Sequence, residues 1–396
     1  MRRIDLKRAS VARSDTIRDI NRQIVLNYIR EQSPISRARI SAETALQRST
    51  ISLIVDELKT RGLIEEIEGE STGGRPPILL RLRVAAPVVI GVDLRTDYTI
   101  VATCDLSGRV LAREEFTTNR NAEITLSNLI DCVRQFLRAH NEIEGIGISL
   151  PGLVDPETGN ALFIPHFKWR NWPVADRMKA ATGLPVKVDN DANAATMAEL
   201  WLGAPEIRKF RDFIMVLVEE GLGTGIVFDG QLYHGEGGAA GEFGHMTIGK
   251  DAPVACAAGS HECWEAFASE RAALARYANQ TNRSHAHPID FSELVDRGLA
   301  GEKDAAAALL ETARYLGLGI SNLLKGLSPE AVIVGGQIVR AWPLIAEEIK
   351  SAVAENSICR GLPSARIIAS TLGKDPNLFG ALSLVLAGKF GSVRAA

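Results

Sequence analysis

The sequence predicts an α/β protein with a small helical head at its N-terminus and a two-lobed body behind it. Three observations predict this. Helical spacing of apolar residues fills positions 15–61, alternating strands and helices begin near residue 87, and the strand-turn-strand theme of residues 88–110 returns at 213–235. A chain of 396 residues also exceeds what one hydrophobic core accommodates, so two or three domains are expected.

Composition narrows the class. With 46% apolar and 23% charged residues the chain reads as an ordinary soluble globular protein. No apolar run approaches the length of a membrane span, and the basic start MRRIDLKRAS lacks the apolar stretch of a secretory signal. The five cysteines (Cys104, Cys132, Cys256, Cys263, Cys359) are scattered and odd in number, which predicts a reducing cytoplasm without a disulfide framework. Charge is unevenly placed: residues 1–61 carry 13 Lys and Arg against 7 Asp and Glu, the remainder 32 against 41. A basic head on an acidic body suits a polyanion-binding module joined to something else.

The head reads as a winged helix-turn-helix, over residues 1–84. In TIRDINRQIVLNYIREQ, Ile17, Ile20, Ile24 and Tyr28 recur at three- and four-residue spacings and predict an amphipathic first helix. Ser36 caps a short second helix, RARISAET. Ala45-Leu46-Gln47 makes the turn, and RSTISLIVDELKTRG gives a third helix whose buried stripe is Ile51, Ile54, Val55 and Leu58, ended by Gly62. Arg48, Ser49, Thr50, Ser52 and Leu53 are left on the exposed face, where a recognition helix meets base edges and phosphates of double-stranded DNA. LIEEIEG and PPILLRLRV then read as wing strands around STGGR, with Arg75 held between Gly and Pro, slim enough for a narrow minor groove. Any three-helix interaction module shares the periodicity; the short turn, the hydroxyl-rich third helix and the wing favour DNA.

In the body, VVIGVDLRTDYTIVATCDLSGRVLAREEF reads as three strands, LSNLIDCVRQFLRAH as a helix, GIGISLPGLVD as a strand and loop, and VADRMKAATG as a second helix. PVKVDND is a strand entering the helix ANAATMAELWLG, and FIMVLVEEGLGTGIVFDGQLYHG repeats the opening theme. Two halves of one pattern imply an actin-like duplication with a ligand in the cleft between lobes. The expected lobes are 85–190, with a C-terminal helix at 376–396 returning to it, and 191–375.

These motifs, in order along nearly the whole chain, resemble the ROK family of repressors, open reading frames and kinases: NRQIVLNYI, SRARIS, STISLIVDEL and GGRPP in front, then LPGLVD, DNDANAA, GEFGH and CWE. The resemblance implies a winged helix-turn-helix followed by a two-lobed actin-like, hexokinase-like body. It also implies a sugar site. Asp191 matches the base that deprotonates the sugar hydroxyl in a kinase, while Asn190, Glu242, His245 and Glu265 match ligands of sugar hydroxyls. Any one of these alone reads equally well as a helix cap or surface group, and Asn190-Asp191 could cap the helix that follows. His166 departs from the family, where Asn often follows that Pro.

The nucleotide side departs further. Kinases of the family place glycines and a threonine after the first-strand Asp to hold phosphate on backbone N–H groups, where this chain has Arg95-Thr96-Asp97. Their second phosphate loop carries Gly-Thr-Gly, against Glu219-Glu220-Gly221 here; Gly335-Gly336 survives and suits strand packing. No ATP binding is expected. The family's structural zinc, held by one His and three Cys, would keep His245, Cys256 and Cys263, with Ala258 standing for the missing Cys; His261 or a water would complete it, and an apo loop with two buried thiols is the alternative.

The reading is a cytoplasmic, sugar-responsive transcription regulator, a repressor of carbohydrate uptake or catabolism genes, acting as a homodimer or tetramer and answering to a sugar or sugar phosphate. It is not read as an enzyme. A sugar kinase with a fused DNA-binding head is the alternative, and a regulator that binds a transport protein in place of free sugar a third.

Overall fold

The computed structural model describes residues 14–70, 76–83, 88–140, 142–280, 289–356, 365–373 and 375–390. The head holds α1 (Ser14–Gln32), α2 (Arg37–Thr44), α3 (Arg48–Thr60) and the antiparallel pair β1 (Ile64–Glu68) and β2 (Ile78–Leu82). The Ser36 hydroxyl accepts from the Arg39 N–H and starts α2. Ala45 takes the left-handed conformation (φ 58°) that turns the chain into α3, and Gly62 (φ 69°) follows the end of that helix. Ile51, Ile54, Val55 and Leu58 are all buried, and each such side chain contributes roughly 1.5–3 kcal/mol through water removed from its surface.

The first helix corrects the expectation. Ile17 is 50% exposed and Ile24 37%, while Val25, Leu26 and Ile29 make the buried stripe. One residue step turns a helix by about 100°, so two apolar stripes lie side by side on α1. The head is small enough to cover only the one that meets α3 and β2.

The first lobe runs β3 (Val88–Leu94), β4 (Tyr98–Cys104), β5 (Val110–Thr117), α4 (Ala122–Ala139), β6 (Ile143–Leu150), β7 (Leu153–Val154), β8 (Ala161–Ile164), β9 (Trp169–Trp172), α5 (Val174–Thr182) and β10 (Val186–Asn190). Its sheet has the order β10-β6-β3-β4-β5. The small sheet β7-β8-β9, packed through Phe167, Trp169 and Trp172, went unread in the sequence because its strands hold only two to four residues.

Helix α6 (Asp191–Leu202) leads to β11 (Phe213–Val218), β12 (Leu222–Phe228) and β13 (Gln231–Leu232). There follow α7 (Trp264–Ala268), α8 (Glu270–Gln280), α9 (Phe291–Leu299), α10 (Lys303–Leu327), β14 (Ala331–Gly335), α11 (Trp342–Glu355), β15 (Arg366–Ala369) and α12 (Pro376–Phe390). The second sheet, β13-β12-β11-β14-β15, repeats the first: three antiparallel strands, then two added in parallel. This is the expected two-lobed α/β body behind a winged helix-turn-helix. Gly336 (φ 91°) crosses so close to β11 that a Cβ there would lie 1.8 Å from the Val218 carbonyl oxygen, which makes the surviving glycine pair a packing device.

Helix α12 lies across β3 and β6 and against α6. Gly380 lets the two helices meet, since a Cβ there would fall 2.3 Å from the Ala194 backbone. The head touches the body here too: the Arg30 guanidinium sits 4.8 Å from the Trp201 ring centre and Glu31 pairs with Arg208 at 3.5 Å. Among the described residues no helix is long and apolar enough to cross a membrane, and Cys104, Cys132, Cys256 and Cys263 are all free thiols.

Candidate functional site

The sugar-side residues start where β10 becomes α6. The Asn190 side-chain oxygen accepts from the N–H groups of Ala192 (2.9 Å) and Asn193 (3.3 Å), and its amide donates to the Gly152 carbonyl at 3.0 Å. Asn190 is therefore the N-cap of α6 as well as a candidate ligand. Asp191 accepts from the Ala192 N–H at 2.8 Å. Its carboxyl is pushed up to about 7, chiefly by enclosure in protein, with the charges of Asp93 and Glu242 adding.

The loop carrying Glu242 is tied to that strand end. Buried Asp189 accepts from the Asn190 N–H at 2.8 Å and the Asn193 amide at 3.0 Å, and its other oxygen meets His234 Nε2 at 2.7 Å. The His234 carbonyl in turn accepts from Ala240 N–H at 2.9 Å. A 3-10 turn, Glu242–His245, then presents a half-exposed Glu242 with His245 Nε2 3.9 Å away. Burial raises the Glu242 carboxyl, opposed by His245 and reinforced by Glu265. Glu265, in the first turn of α7, accepts from the Ala257 N–H at 2.7 Å and from Arg271 at 3.2 Å. The structure thus links Asp191 to Glu242, and Glu242 to His245 and Glu265, through their charges, with Asn190 next to Asp191. Arg271 and His234 were missed in the sequence: a clamp six residues after Glu265 and an imidazole far from Asp189 leave no periodic trace.

The loops after β3 and β11, where the family resemblance leads to the expectation of phosphate contacts, are held by side-chain pairs. Arg95 donates to Asp93 (2.8 Å), to the Tyr98 hydroxyl (2.7 Å) and to Asp375 (3.4 Å), and Arg113 holds the other Asp375 oxygen at 2.7 Å. Burial pulls the Arg95 guanidinium toward neutrality, but Asp93 and Glu219 more than reverse it, so its charge is held firmly. Glu219 accepts from the Asn377 amide at 3.0 Å; enclosure pushes its carboxyl up to about 8 against the pull of Arg95. Thr96 donates to Glu220 at 2.7 Å, which joins the loop after β3 to the loop after β11. A cradle for phosphate needs bare N–H groups; this one is filled by an ion-pair network. Asp375 and Asn377, at the start of α12, belong to it and were not foreseen.

The candidate metal group is His245, Cys256 and Cys263, whose ligand atoms all lie within 4.8 Å of one another. The two sulfurs are 3.5 Å apart. One imidazole and two thiols are a donor set that suits zinc, one ligand short of a closed structural site. His261 is not in this group; its Nδ1 faces the Ala252 carbonyl at 3.1 Å.

On the head, Arg48 and Ser49 are exposed at the start of α3, Thr50 and Ser52 are half-buried, and Leu53 is 71% exposed. An aliphatic side chain left in water on a polar helix face suits a thymine methyl. Arg75 lies outside the described residues.

Relatives of nearly the whole chain are found among known proteins. A model described as the ROK family matches residues 89–387. The chain is 32% identical over 389 residues to the xylose repressor of Caldicellulosiruptor bescii, with 93% of this chain and 96% of that protein covered. Among solved structures it is similar to a ROK family transcriptional regulator described as a homolog of the E. coli MLC protein, at 26% identity and a TM-score of 0.80, covering 95% of this chain and 98% of that one. It is also similar to a ROK family glucokinase from Streptomyces griseus in complex with glucose and AMPPNP, at 31% identity and a TM-score of 0.67. That kinase is covered over 99% of its length but reaches only 75% of this chain, whereas the regulator reaches 95%. The chain belongs to the ROK family.

Proposed function

We propose that this chain is a sugar-responsive DNA-binding transcription regulator, a repressor of genes for carbohydrate uptake or catabolism, and not an enzyme. One observation carries the reading: the cleft keeps its sugar-side carboxylates while Arg95, Asp93, Asp375 and Glu219 fill the phosphate side with pairs of their own. A head with Leu53 exposed on its recognition helix supplies the output. Asn190, Asp191, Glu242, His245 and Glu265 would hold the sugar, and Arg48, Ser49, Thr50, Ser52, Leu53 and Arg75 the operator, bound by a dimer or tetramer across an inverted repeat. The units proposed are 1–84, 85–190 joined by 376–396, and 191–375.

The kinase reading has one observation in its favour, the retained Asp191. Coupled ATP hydrolysis with a panel of hexoses decides between them: no sugar-dependent turnover is expected, and turnover near 1 s⁻¹ or above, in the usual enzyme range, would replace the regulator with a kinase. Zinc held by His245, Cys256 and Cys263 would brace the loop that carries Ala257 and so the N–H given to Glu265. Metal analysis of the purified chain should find close to one zinc per chain, and Ala258→Cys should slow its loss to chelator; a metal-free chain of unchanged melting temperature would remove zinc from the account.

A further inference from the structure

The cleft around Asp191 is acidic well beyond what binding hydroxyls requires. Enclosure is the first cause that raises Asp191, Glu219 and Glu270; the charges of Asp93 and Glu242 add to it at Asp191, those of Asp93 and Asp191 at Glu219 against the pull of Arg95, and that of Glu219 at Glu270. The backbone joins the last two, the Glu270 N–H donating to the Glu219 carbonyl at 3.0 Å. Of the guanidiniums near this group, Arg113 is held by Asp375 and Glu115, and the other two are engaged as well. Arg95 is divided among Asp93, Tyr98 and Asp375. Arg271 is divided among Glu265 and the carbonyls of Glu220 and Ala255.

We propose that the effector is an uncharged sugar and that this cleft rejects the phosphate esters of the same sugar. The inference rests on the sugar-sensor reading of the site. A hydroxyl that hydrogen-bonds Asp191 points toward the filled phosphate side, so an ester on it would put a dianion among Asp191, Asp93 and Glu219. Phosphate sites use unengaged guanidiniums, ammonium groups or helix N-terminal N–H groups. Here Asn190 and Asp191 already accept the first N–H groups of α6, and the two arginines are committed to carboxylates and carbonyls. An ester on the opposite edge would meet Glu242 and Glu265 instead. The enclosure that keeps protons on Asp191 and Glu219 would penalise a further anion as well, and the neighbouring carboxylates would add to that opposition, so esters could enter only with protons taken up alongside. Hydroxyls meet no such opposition, because carboxylates accept from them whether or not a neighbour is ionised.

The experiment is calorimetry and thermal shift on the full chain at pH 7.5 with xylose, glucose, mannose, galactose and N-acetylglucosamine, each beside its 1-phosphate or 6-phosphate. The tightest ligand should be neutral, and its esters should bind about 100-fold more weakly, a gap of the size that unpaired like charges impose. An ester that binds within tenfold of its parent, or better, overturns the proposal while leaving the sugar site standing. Silence from every sugar and every ester instead brings down the sugar-sensor reading, and this inference with it. Repeated at about pH 9, above the value of about 8 at which Glu219 ionises, Glu219→Gln, which keeps an acceptor for Asn377, should narrow the gap by about tenfold if charge is its source. An unchanged gap in that variant would remove Glu219 from the explanation and overturn the charge argument.

Discussion

The two sides of the cleft are built by the same duplicated pattern, yet one side keeps groups facing inward and the other has turned its groups on each other. On the sugar side, carboxylates are fixed by backbone N–H groups and by residues outside the pocket, as Glu265 is by Ala257 and Arg271, which leaves Asp191 and Glu242 facing the opening. On the phosphate side, Arg95, Asp93, Asp375, Glu219 and Asn377 bond to one another, leaving one oxygen of Asp93 and the side-chain oxygen of Asn377 buried without a partner among the described residues. On the proposed reading, a binding site can be given up with its place still filled: side chains bond one another there, and the region stays a folded part of the protein.

The comparison breaks first, and by the largest expected effect, if the sugar side is not where the ligand goes. Glu242→Gln, Glu265→Gln and Asn190→Ala should each abolish sugar binding in calorimetry and leave operator affinity without sugar close to wild type. Asn190→Ala should also cost about 1 kcal/mol of stability, because it removes the cap of α6. Undiminished binding in all three would mean that the pocket is elsewhere.

The phosphate side should answer to the opposite test, in stability. Arg95→Ala leaves Asp93 buried and unpaired, and should lower the unfolding free energy in urea by about 3–5 kcal/mol. Adding Asp93→Asn should restore a good part of it. A neutral effect of Arg95→Ala would show that the network is incidental.

Asp191 sits between the two sides, and its replacement should be intermediate. A carboxylate that accepts from a sugar hydroxyl contributes about 1.5–3 kcal/mol, so Asp191→Asn should weaken sugar binding by about one to two orders of magnitude. ATP should neither bind nor change sugar affinity in the wild type.

The smallest effect is on pH dependence. The Glu219 carboxyl is raised in the folded state to about 8, so the native chain holds a proton that the unfolded chain releases near the ordinary carboxylate value. Its contribution to stability is present below about pH 4 and is lost as pH rises toward 8. The melting temperature should therefore decline across that range, and less steeply in Glu219→Gln. Equal slopes would mean that solvent reaches the group more freely than the structure indicates.

Much of this was readable from local chemistry. Ser36, Ala45, the α3 stripe and Gly62 are decided by neighbours within a turn or two, and the sequence carries that information in spacing. The substitution of phosphate-binding glycines by Arg95 and Glu219 was equally plain. What Arg95 binds was not: Asp375 lies 280 residues away, and only tertiary packing brings α12 to it. For α1 the spacing admitted two apolar faces, and the choice between them belonged to α3 and β2. Asn190 was read as ligand or cap, and the structure shows the cap directly because both partners are adjacent in sequence.

Helix α6 has a mechanical consequence. Its 12 residues form a rod about 18 Å long, with Asp191 at one end and Trp201, under the Arg30 guanidinium of the head, near the other. No glycine or proline interrupts it, so it has no joint at which to absorb a tilt. Pivoting by about 5° at the Asp191 end would carry the far end through about 1.5 Å, the size of helix shift on which protein interfaces switch. The head therefore rests against the far end of an unbroken rod whose near end carries Asp191.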